Sequence, residues 1–399
     1  MKCRVCDSID LEMVIDLGMQ PWCNHFLKKE EVGKEPFYPL HLLYCNNCST
    51  SQLDYTVDKK IMFSNHTYLS GITKSLSNHF KNVASIVNDK IIEKKRKKTI
   101  LDIGSNDGTL LRHFIDLDWE VLGVESSKDI SVIANKNGVP TLNKFYNYET
   151  SQEIGKSFDA INASGVFFHL EELHSVCRAI KACLNKEGIF VVQFLYMKSI
   201  MENVAFDQIY HEHLLYYTIK TIKYLLSQYD LEIFDAYLAD IHGGQMVAFV
   251  SHNDHHEKTK RFCDLEAKEN LSDCNSIESY KNFKNNIDLL KKDNINYLNN
   301  AKNNNKIIYG MGAPVKGNTL LNFFNIGTEF LDCLLEKNNL RENLFSPGKH
   351  IPVYMEDKIK KIPDIYYVLA WNFKKEILGN NQALINKGVE FYFPIKEKN

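Results

Sequence analysis

The stretch that most constrains this chain is a predicted strand, glycine-rich turn, helix and second strand between residues 98 and 125. It begins with KTILDIGSNDGTLL at Lys98 and ends with VLGVE at Glu125. In a βαβ unit of this kind, glycines allow a tight turn and a close approach of ligand to backbone, and an acid ending the second strand accepts hydrogen bonds from ribose hydroxyls. The sequence therefore predicts a nucleotide-binding unit in which Glu125 is the ribose acceptor.

The spacing within the turn indicates which cofactor it binds. A dinucleotide fingerprint reads GxGxxG, whereas this turn places Asp102, Gly104, Asn106 and Gly108 at every second position. That pattern is closer to the acidic, glycine-rich turn of S-adenosylmethionine (SAM) methyltransferases. We predict SAM binding by these four residues, and the alternative of a tight turn in a generic α/β domain stays open at this point.

Two further apolar runs predict the neighbouring strands of the same sheet. Residues 158–163 are expected to form a central strand and residues 188–193 the next one, with helices between them. This alternation predicts a doubly wound α/β domain, whose ligands lie at the carboxyl ends of the strands. Ala163 and Ser164 would therefore join the predicted cofactor site.

Half of the ten cysteines lie within the first 48 residues, and four of them form two pairs of CxxC spacing. Each pair can present two thiolates on one turn, and the strands predicted at residues 11–17 and 37–44 would bring the pairs together. We predict a structural Zn²⁺, because four cysteines close its coordination shell. The alternative is four buried thiols. The predicted ligands are Cys3, Cys6, Cys45 and Cys48.

The bulk properties exclude several classes of function. A chain of 399 residues predicts two or three domains, and a net charge of −2 gives no signal for nucleic-acid binding. The longest apolar runs have the length of strands, and the first residues do not resemble a signal peptide. We therefore expect a cytoplasmic protein with no nucleic-acid or membrane partner.

The carboxyl-terminal part predicts a second, smaller Rossmann-like domain after a polar helical connector at residues 257–300. A strand and glycine turn begin at Lys306, and further strands are expected at residues 330–336 and 366–370. The glycine spacing from Gly310 to Gly317 is about two residues too long for a dinucleotide fingerprint, which argues against an NAD site.

Nearly the whole chain resembles one known family, the C-methyltransferases that act on nucleotide-linked keto-deoxysugars of antibiotics and surface polysaccharides. The resemblance includes the cysteine pairs and the glycine-rich turn already described. The other matching motifs are DLGMQP at Asp16, YLSG at Tyr68, VFFH ending at His169, YHEH at Tyr210–His213, HGG at His242, GAPVKGNTLLN at Gly312 and LAWNF at Leu369.

The resemblance implies a mechanism for YHEH. A base removes the proton on sugar C3, next to a ketone at C4, and the resulting enolate attacks the methyl group of SAM. Histidine has a suitable pKa, so we assign the base to His213, oriented by Glu212, with Glu212 and His169 as alternatives. The expected donors to the enolate oxygen are Tyr68, Tyr210 and His169.

The same two histidines allow a metal site as an alternative. In an extended segment His211 and His213 would share a face, but no third ligand is evident and the resemblance implies none. Hydrogen-bonded loop histidines are the other alternative.

The resemblance also implies that the terminal domain helps bind the sugar nucleotide. A diphosphate suits the helix start after Gly312, together with Lys316, and Asn318 and His242 are the other predicted substrate contacts. The chain departs from the family pattern at Gly165 before VFFH, at Ser126-Ser127 after Glu125, and at Gln245-Met-Val after HGG. The first departure concerns one contact to SAM or substrate, and the last concerns the identity of the substrate but not the class of reaction.

We therefore predict an α/β protein with a zinc-binding domain at residues 1–75, a SAM methyltransferase domain at 76–255 and a Rossmann-like domain at 256–399. Its expected activity is C3 methylation of a nucleotide-linked 4-keto-deoxysugar by a monomer. The alternatives are methylation at C5 or at a sugar oxygen, or a sugar-nucleotide binding or epimerising protein that does not methylate.

Overall fold

The computed structural model of the chain describes residues 1–63, 70–72, 74–91, 96–241 and 243–396. The strands in these residues are β1 (Leu11–Pro21), β2 (Phe37–Cys45), β3 (Ser51–Leu53), β4 (Thr99–Ile103), β5 (Glu120–Glu125), β6 (Thr141–Asn143), β7 (Phe158–Ser164), β8 (Leu184–Leu195), β9 (Leu215–Tyr216), β10 (Leu231–Ala239), β11 (Gln245–His252), β12 (Ile308–Met311), β13 (Leu334–Glu336), β14 (Val353–Met355), β15 (Ile365–Val368) and β16 (Glu390–Tyr392).

The α-helices are α1 (Lys59–Phe63), α2 (Lys74–Lys90), α3 (Thr109–Ile115), α4 (Lys128–Lys136), α5 (Tyr148–Ile154), α6 (Leu173–Cys183), α7 (Met197–Glu202), α8 (Ile219–Ser227), α9 (Lys260–Leu271), α10 (Ile277–Asn303), α11 (Val315–Phe324), α12 (Lys374–Asn380) and α13 (Gln382–Ile385). Short 3-10 turns lie between them, including Phe206–Gln208. None of the described helices is both long and apolar enough to cross a membrane.

The central sheet has the strand order β10-β11-β8-β7-β4-β5-β6. Its five strands from β8 to β6 are parallel, and β11 and β10 add an antiparallel edge. Residues 188–195 of β8 are buried, as is typical of a parallel strand with helices on both sides of its sheet. The strand order reverses at β4, whose neighbours are β5 and β7, so a crevice forms beyond their carboxyl ends.

The amino-terminal sheet has the order β1-β2-β3-β9 and is not built from the first 75 residues alone. Its edge strand β9 comes from Leu215–Tyr216, and Ser51 pairs with Tyr216. Because β9 begins two residues after His213, this sheet is attached directly to the YHEH motif.

The third sheet is parallel throughout, with the order β14-β13-β12-β15-β16. The polar connector forms α9 and the long α10, as predicted. The expectation of a strand over residues 330–336 was too long, because only Leu334–Glu336 pairs with its neighbours. Residues 327–331 instead form a turn closed by hydrogen bonds to the Gly327 carbonyl.

Candidate functional site

The four predicted zinc ligands meet at one point. The sulfur atoms of Cys3, Cys6, Cys45 and Cys48 all lie within 4.8 Å of one another. Each pair lies on a turn, closed by hydrogen bonds from the Asp7 amide to the Cys3 carbonyl and from the Ser49 amide to the Cys45 carbonyl. Four sulfur donors at this separation fit a tetrahedral Zn²⁺ and leave no position for substrate, so the site is structural.

The glycine-rich turn after β4 forms a cradle that requires glycine at two of its positions. Gly104 has φ of +69°, and a Cβ there would lie 2.5 Å from Cγ2 of Val166. Gly108 has φ of +79°, and its Cβ would lie 2.7 Å from Val139. Asn106 also has a left-handed backbone, with φ of +50°. The left-handed backbone and the neighbouring valines therefore both require glycine at these two positions, and the tight turn that results lies beyond the carboxyl end of β4, where the cofactor of such a fold binds.

Glu125 ends β5 and closes this cradle. Its carboxylate accepts hydrogen bonds from the backbone amides of Asn106 (3.0 Å) and Ser127 (2.8 Å). Burial raises the pKa of Glu125, and these two amides oppose the rise. The Ser126 hydroxyl also donates to Oε1 (3.4 Å), so Oε2 is the oxygen that keeps a lone pair for a further donor.

A hydrogen-bonded chain of side chains crosses the ends of β4 and β7. The Ser164 hydroxyl donates to Asn162 (3.0 Å), and the Asn162 amide donates to Asp102 (2.6 Å). Burial raises the pKa of Asp102 to about 7, against the lowering effect of Asn162. Ala163, between these two partners, is fully buried in β7 and offers only its backbone to the crevice.

YHEH forms a turn and not the extended segment that the metal-site alternative required. The His213 amide donates to the Tyr210 carbonyl (2.8 Å), which closes the turn. The His213 Nδ1 donates to the backbone carbonyl of Gln208 (2.7 Å), because that carbonyl has no proton to give. In the neutral ring, Nε2 is therefore the basic atom.

Three of the predicted catalytic side chains, those of His169, Tyr210 and His213, lie next to one another. The ring of His213 lies 5.2 Å from that of His169 and 3.8 Å from that of Tyr210, measured between centroids. Phe168 packs edge-on against His213. The His169 Nδ1 donates to the Glu212 carbonyl, which fixes this ring in place. Burial raises the pKa of Tyr210 well above its usual value, so its hydroxyl is a proton donor at neutral pH.

The carboxylate of Glu212 is engaged elsewhere, which corrects the expectation that it orients His213. It accepts hydrogen bonds from Trp22 Nε1 (2.8 Å) and Asn24 Nδ2 (3.2 Å). Burial raises the pKa of Glu212, and these two donors oppose the rise. The group that orients His213 is the carbonyl of Gln208. Glu212 instead joins the motif to the loop after β1, which carries Trp22 and Asn24.

His211 faces away from the cluster. Its Nε2 meets the Pro39 carbonyl of β2 at 3.3 Å, and its ring packs edge-on against Tyr38. Burial lowers the pKa of His211 to about 4, so the ring is neutral. Among the described residues, the cysteine cluster is the only metal-ligand group of three or more side chains, so YHEH is not part of such a group.

Lys316 lies in the first turn of α11 and contacts the methyltransferase domain. Its Nζ lies 3.7 Å from the ring centroid of Trp371 and 3.9 Å from Oδ2 of Asp207. Asp207 precedes Gln208 in the 3-10 turn whose carbonyl holds His213. Gly312 has φ of +81° and packs against Ala370, so the loop follows the end of β15 closely.

The side chain of Asn318 is hydrogen-bonded within the protein, contrary to its expected role in binding substrate. It is 1% exposed, and its amide donates to the Cys23 carbonyl (2.7 Å). His350 bonds through Nε2 to the Glu35 carboxylate (2.6 Å). Both residues therefore fasten the amino-terminal domain to the carboxyl-terminal domain.

Two predicted site residues, Tyr68 and His242, lie outside the described residues. Residues that follow each of them in the sequence contact the site. The Gly71 amide donates to Asp107 of the glycine-rich turn (2.9 Å). A Cβ at Gly243 would lie 2.8 Å from Trp371 and 3.2 Å from Gln208 Nε2.

Sequence reasoning missed four residues of this site: Trp22, Asn24, Asp207 and Gln208. The signal for the last two was present, because the run FDQIYHEH places them immediately before YHEH. Trp22 and Asn24 carried no such signal, since about 190 residues separate them from Glu212.

Comparisons with known proteins cover each part of the chain. The family model of a zinc binding domain matches residues 3–63, that of a methyltransferase domain matches residues 77–236, and that of a C-methyltransferase C-terminal domain matches residues 240–396.

Two curated relatives and one solved structure are similar to this chain. The C-methyltransferase NovU of Streptomyces niveus is 26% identical over 402 residues, covering 99% of this chain and 96% of NovU. An uncharacterized methyltransferase of Alkaliphilus oremlandii is 29% identical over 128 residues, covering 30% of this chain and 59% of that protein. The magnesium protoporphyrin IX methyltransferase of Synechocystis PCC 6803, solved with bound SAM, is 12% identical with a TM-score of 0.36, covering 50% of this chain and 99% of that chain.

Proposed function

We propose that this SAM-dependent methyltransferase, which is similar to C-methyltransferases over nearly its whole length, methylates C3 of a nucleotide-linked 4-keto-deoxysugar. The product would enter surface polysaccharide or deoxysugar biosynthesis, in the cytoplasm. The observation that carries the proposal is the His213 side chain, whose Nδ1 is bonded to the Gln208 carbonyl so that Nε2 is the base.

The proposed reaction begins with proton transfer to His213. Its Nε2 takes the proton from C3, and the electron pair of the C–H bond becomes the double bond of an enolate whose negative charge lies on the C4 oxygen. The ketone makes this proton acidic enough for histidine. The hydroxyl of Tyr210, kept protonated by burial, donates to the enolate oxygen.

SAM would be held at the turn of Gly104 and Gly108 with Glu125, and it would supply the electrophilic methyl group that C3 of the enolate takes, leaving as S-adenosylhomocysteine. The proton stays on His213 until solvent removes it. His169, held by the Glu212 carbonyl, packs beside the base and limits the orientations of its ring.

The function is tested by mass spectrometry after incubation with SAM and a panel of TDP-, GDP- and CDP-linked 4-keto-6-deoxysugars in deuterated water. We expect one sugar to gain a single methyl group, with fragmentation placing it on C3. Methyl on C5 or on an oxygen would contradict the position. Deuterium uptake without methyl gain would favour an epimerising protein, and no change with any sugar would contradict the acceptor class.

Replacing Glu125 by alanine is expected to weaken SAM binding about tenfold to a hundredfold, because hydrogen bonds to a charged group contribute about 1.5–3 kcal/mol each. Isothermal titration calorimetry measures the effect. The matched control is Glu120→Ala at the other end of β5, where the carboxylate is exposed and pairs with Lys156. An unchanged dissociation constant for Glu125→Ala would refute the ribose assignment.

The affinity for SAM is expected to rise with pH between about pH 6 and 8 because the pKa of Asp102 is about 7. The neutral carboxyl dominates below this pKa, and positively charged SAM favours the ionised form, so binding releases a proton. The dissociation constant should fall up to about tenfold per pH unit below the pKa and level off above it. Asp102→Asn should flatten this dependence, and the same slope in that variant would exclude Asp102 as its source.

A further inference from the structure

Asp207 is a buried carboxylate at the contact between the methyltransferase and carboxyl-terminal domains. Its side chain is 0% exposed. Oδ2 accepts a hydrogen bond from Trp371 Nε1 (2.7 Å) and lies 3.9 Å from the ammonium group of Lys316. Oδ1 has no hydrogen-bond partner among the described residues. Burial of a carboxylate is costly, so a charge at this place requires the partners that the other domain supplies.

Lys316 is held on two sides. The face of the Trp371 ring lies below its ammonium group, and Asp207 lies beside it. The side chain is only 14% exposed, although a lysine normally extends its charge into water. Because Trp371 donates to Asp207 through its indole nitrogen and faces Lys316 with its ring, the three side chains form one unit.

We propose that Asp207 is a positioning residue, which holds Lys316 at the contact between the two domains so that its ammonium group binds the diphosphate of the nucleotide sugar. This inference rests on the proposed function. A lysine stem has four rotatable bonds, and ordering it on binding costs affinity unless the protein has already restricted it. Asp207 and Trp371 provide that restriction.

Electrostatics alone predicts the opposite effect of Asp207. A negative charge next to an anion site weakens the binding of the anion, so its removal should strengthen binding if Asp207 acts only through its charge. If Asp207 positions Lys316, the same removal should weaken binding. The direction of the change therefore distinguishes the two roles.

The experiment measures binding of TDP, GDP and CDP to the full chain and to Asp207→Asn by calorimetry, together with steady-state kinetics on the acceptor sugar. Asparagine keeps an oxygen that can accept from Trp371 and removes the charge. We expect the nucleotide that binds to lose about tenfold in affinity, and KM to rise similarly with kcat within about threefold. Asp332→Asn, which removes an exposed partner of Lys302 in the same domain, should change neither value.

A double-mutant cycle with Lys316→Gln tests whether the effect passes through the lysine. On that background Asp207→Asn should cause little further loss, and independent, additive losses would overturn the inference. Binding that is unchanged or tighter in Asp207→Asn would also overturn it. If the unmodified chain binds none of the three nucleotides, the proposed acceptor class fails, and the inference fails with it.

Trp371→Phe provides a second test if Asp207→Asn does not fold. Phenylalanine keeps a ring beneath the ammonium group and removes the hydrogen bond to Asp207. We expect a weakening of nucleotide binding in the same direction, with unchanged affinity for SAM. Unchanged nucleotide affinity in this variant would overturn the inference.

Discussion

Replacing His213 by alanine should reduce methyl transfer by about a hundredfold to ten-thousandfold, the usual range for loss of a general base. The affinity for SAM should stay within about twofold, because the cradle formed by Gly104, Gly108 and Glu125 does not include this ring. Exchange of the C3 proton with deuterated water, measured by mass spectrometry in the presence of S-adenosylhomocysteine, should be lost as well. The matched control is His255→Ala, which removes an exposed histidine.

The exchange measurement separates the three candidate bases. His169 bonds to the Glu212 carbonyl and packs against His213, so His169→Ala should slow exchange without abolishing it. The Glu212 carboxylate is bound by Trp22 and Asn24, so Glu212→Gln should also retain exchange. Full exchange in His213→Ala would exclude His213 as the base, and its loss in Glu212→Gln alone would assign the base to Glu212.

Loss of the zinc site should unfold the amino-terminal sheet and stop turnover. Structural zinc contributes about 10–16 kcal/mol to the folding of zinc-finger peptides, as much as the whole stability of a typical domain. Cys48→Ala should therefore lower the zinc content from one ion per chain to less than about a tenth and lower the unfolding midpoint by more than about 10 °C. Metal analysis and calorimetry measure these changes.

Turnover depends on this domain through direct contacts with the site. Trp22 and Asn24, on the loop after β1, hold the Glu212 carboxylate, and β3 pairs with β9 just beyond His213. Unfolding of the sheet removes all of these contacts. The matched control is Cys263→Ala, which changes an exposed cysteine outside the cluster. Full turnover in a zinc-free Cys48→Ala protein would show that the site does not need the domain.

Local sequence was sufficient to predict the structure wherever the residues that interact are neighbours in the chain. The unit from Lys98 to Glu125 folds as predicted because the turn needs left-handed backbone at Gly104 and Gly108, which glycine adopts without strain. The zinc ligands could also be predicted from local sequence, since CxxC spacing places two sulfurs on one turn. The hydrogen-bond partners of Glu212 could not be predicted from local sequence, because the bonds from Trp22 and Asn24 depend on how the domains pack.

The sequence by itself determined the zinc-binding and α/β parts of this protein, its cofactors and the motif in which we propose that the base lies. These follow from residue spacing, which acts through the backbone over a few residues. Only the tertiary structure decided that the Gln208 carbonyl orients His213, that Glu212 belongs to the amino-terminal contact, and that Asp207 meets Lys316 and Trp371. A buried carboxylate takes whichever donors the packing brings within hydrogen-bond distance, and those donors lie on segments far apart in the chain.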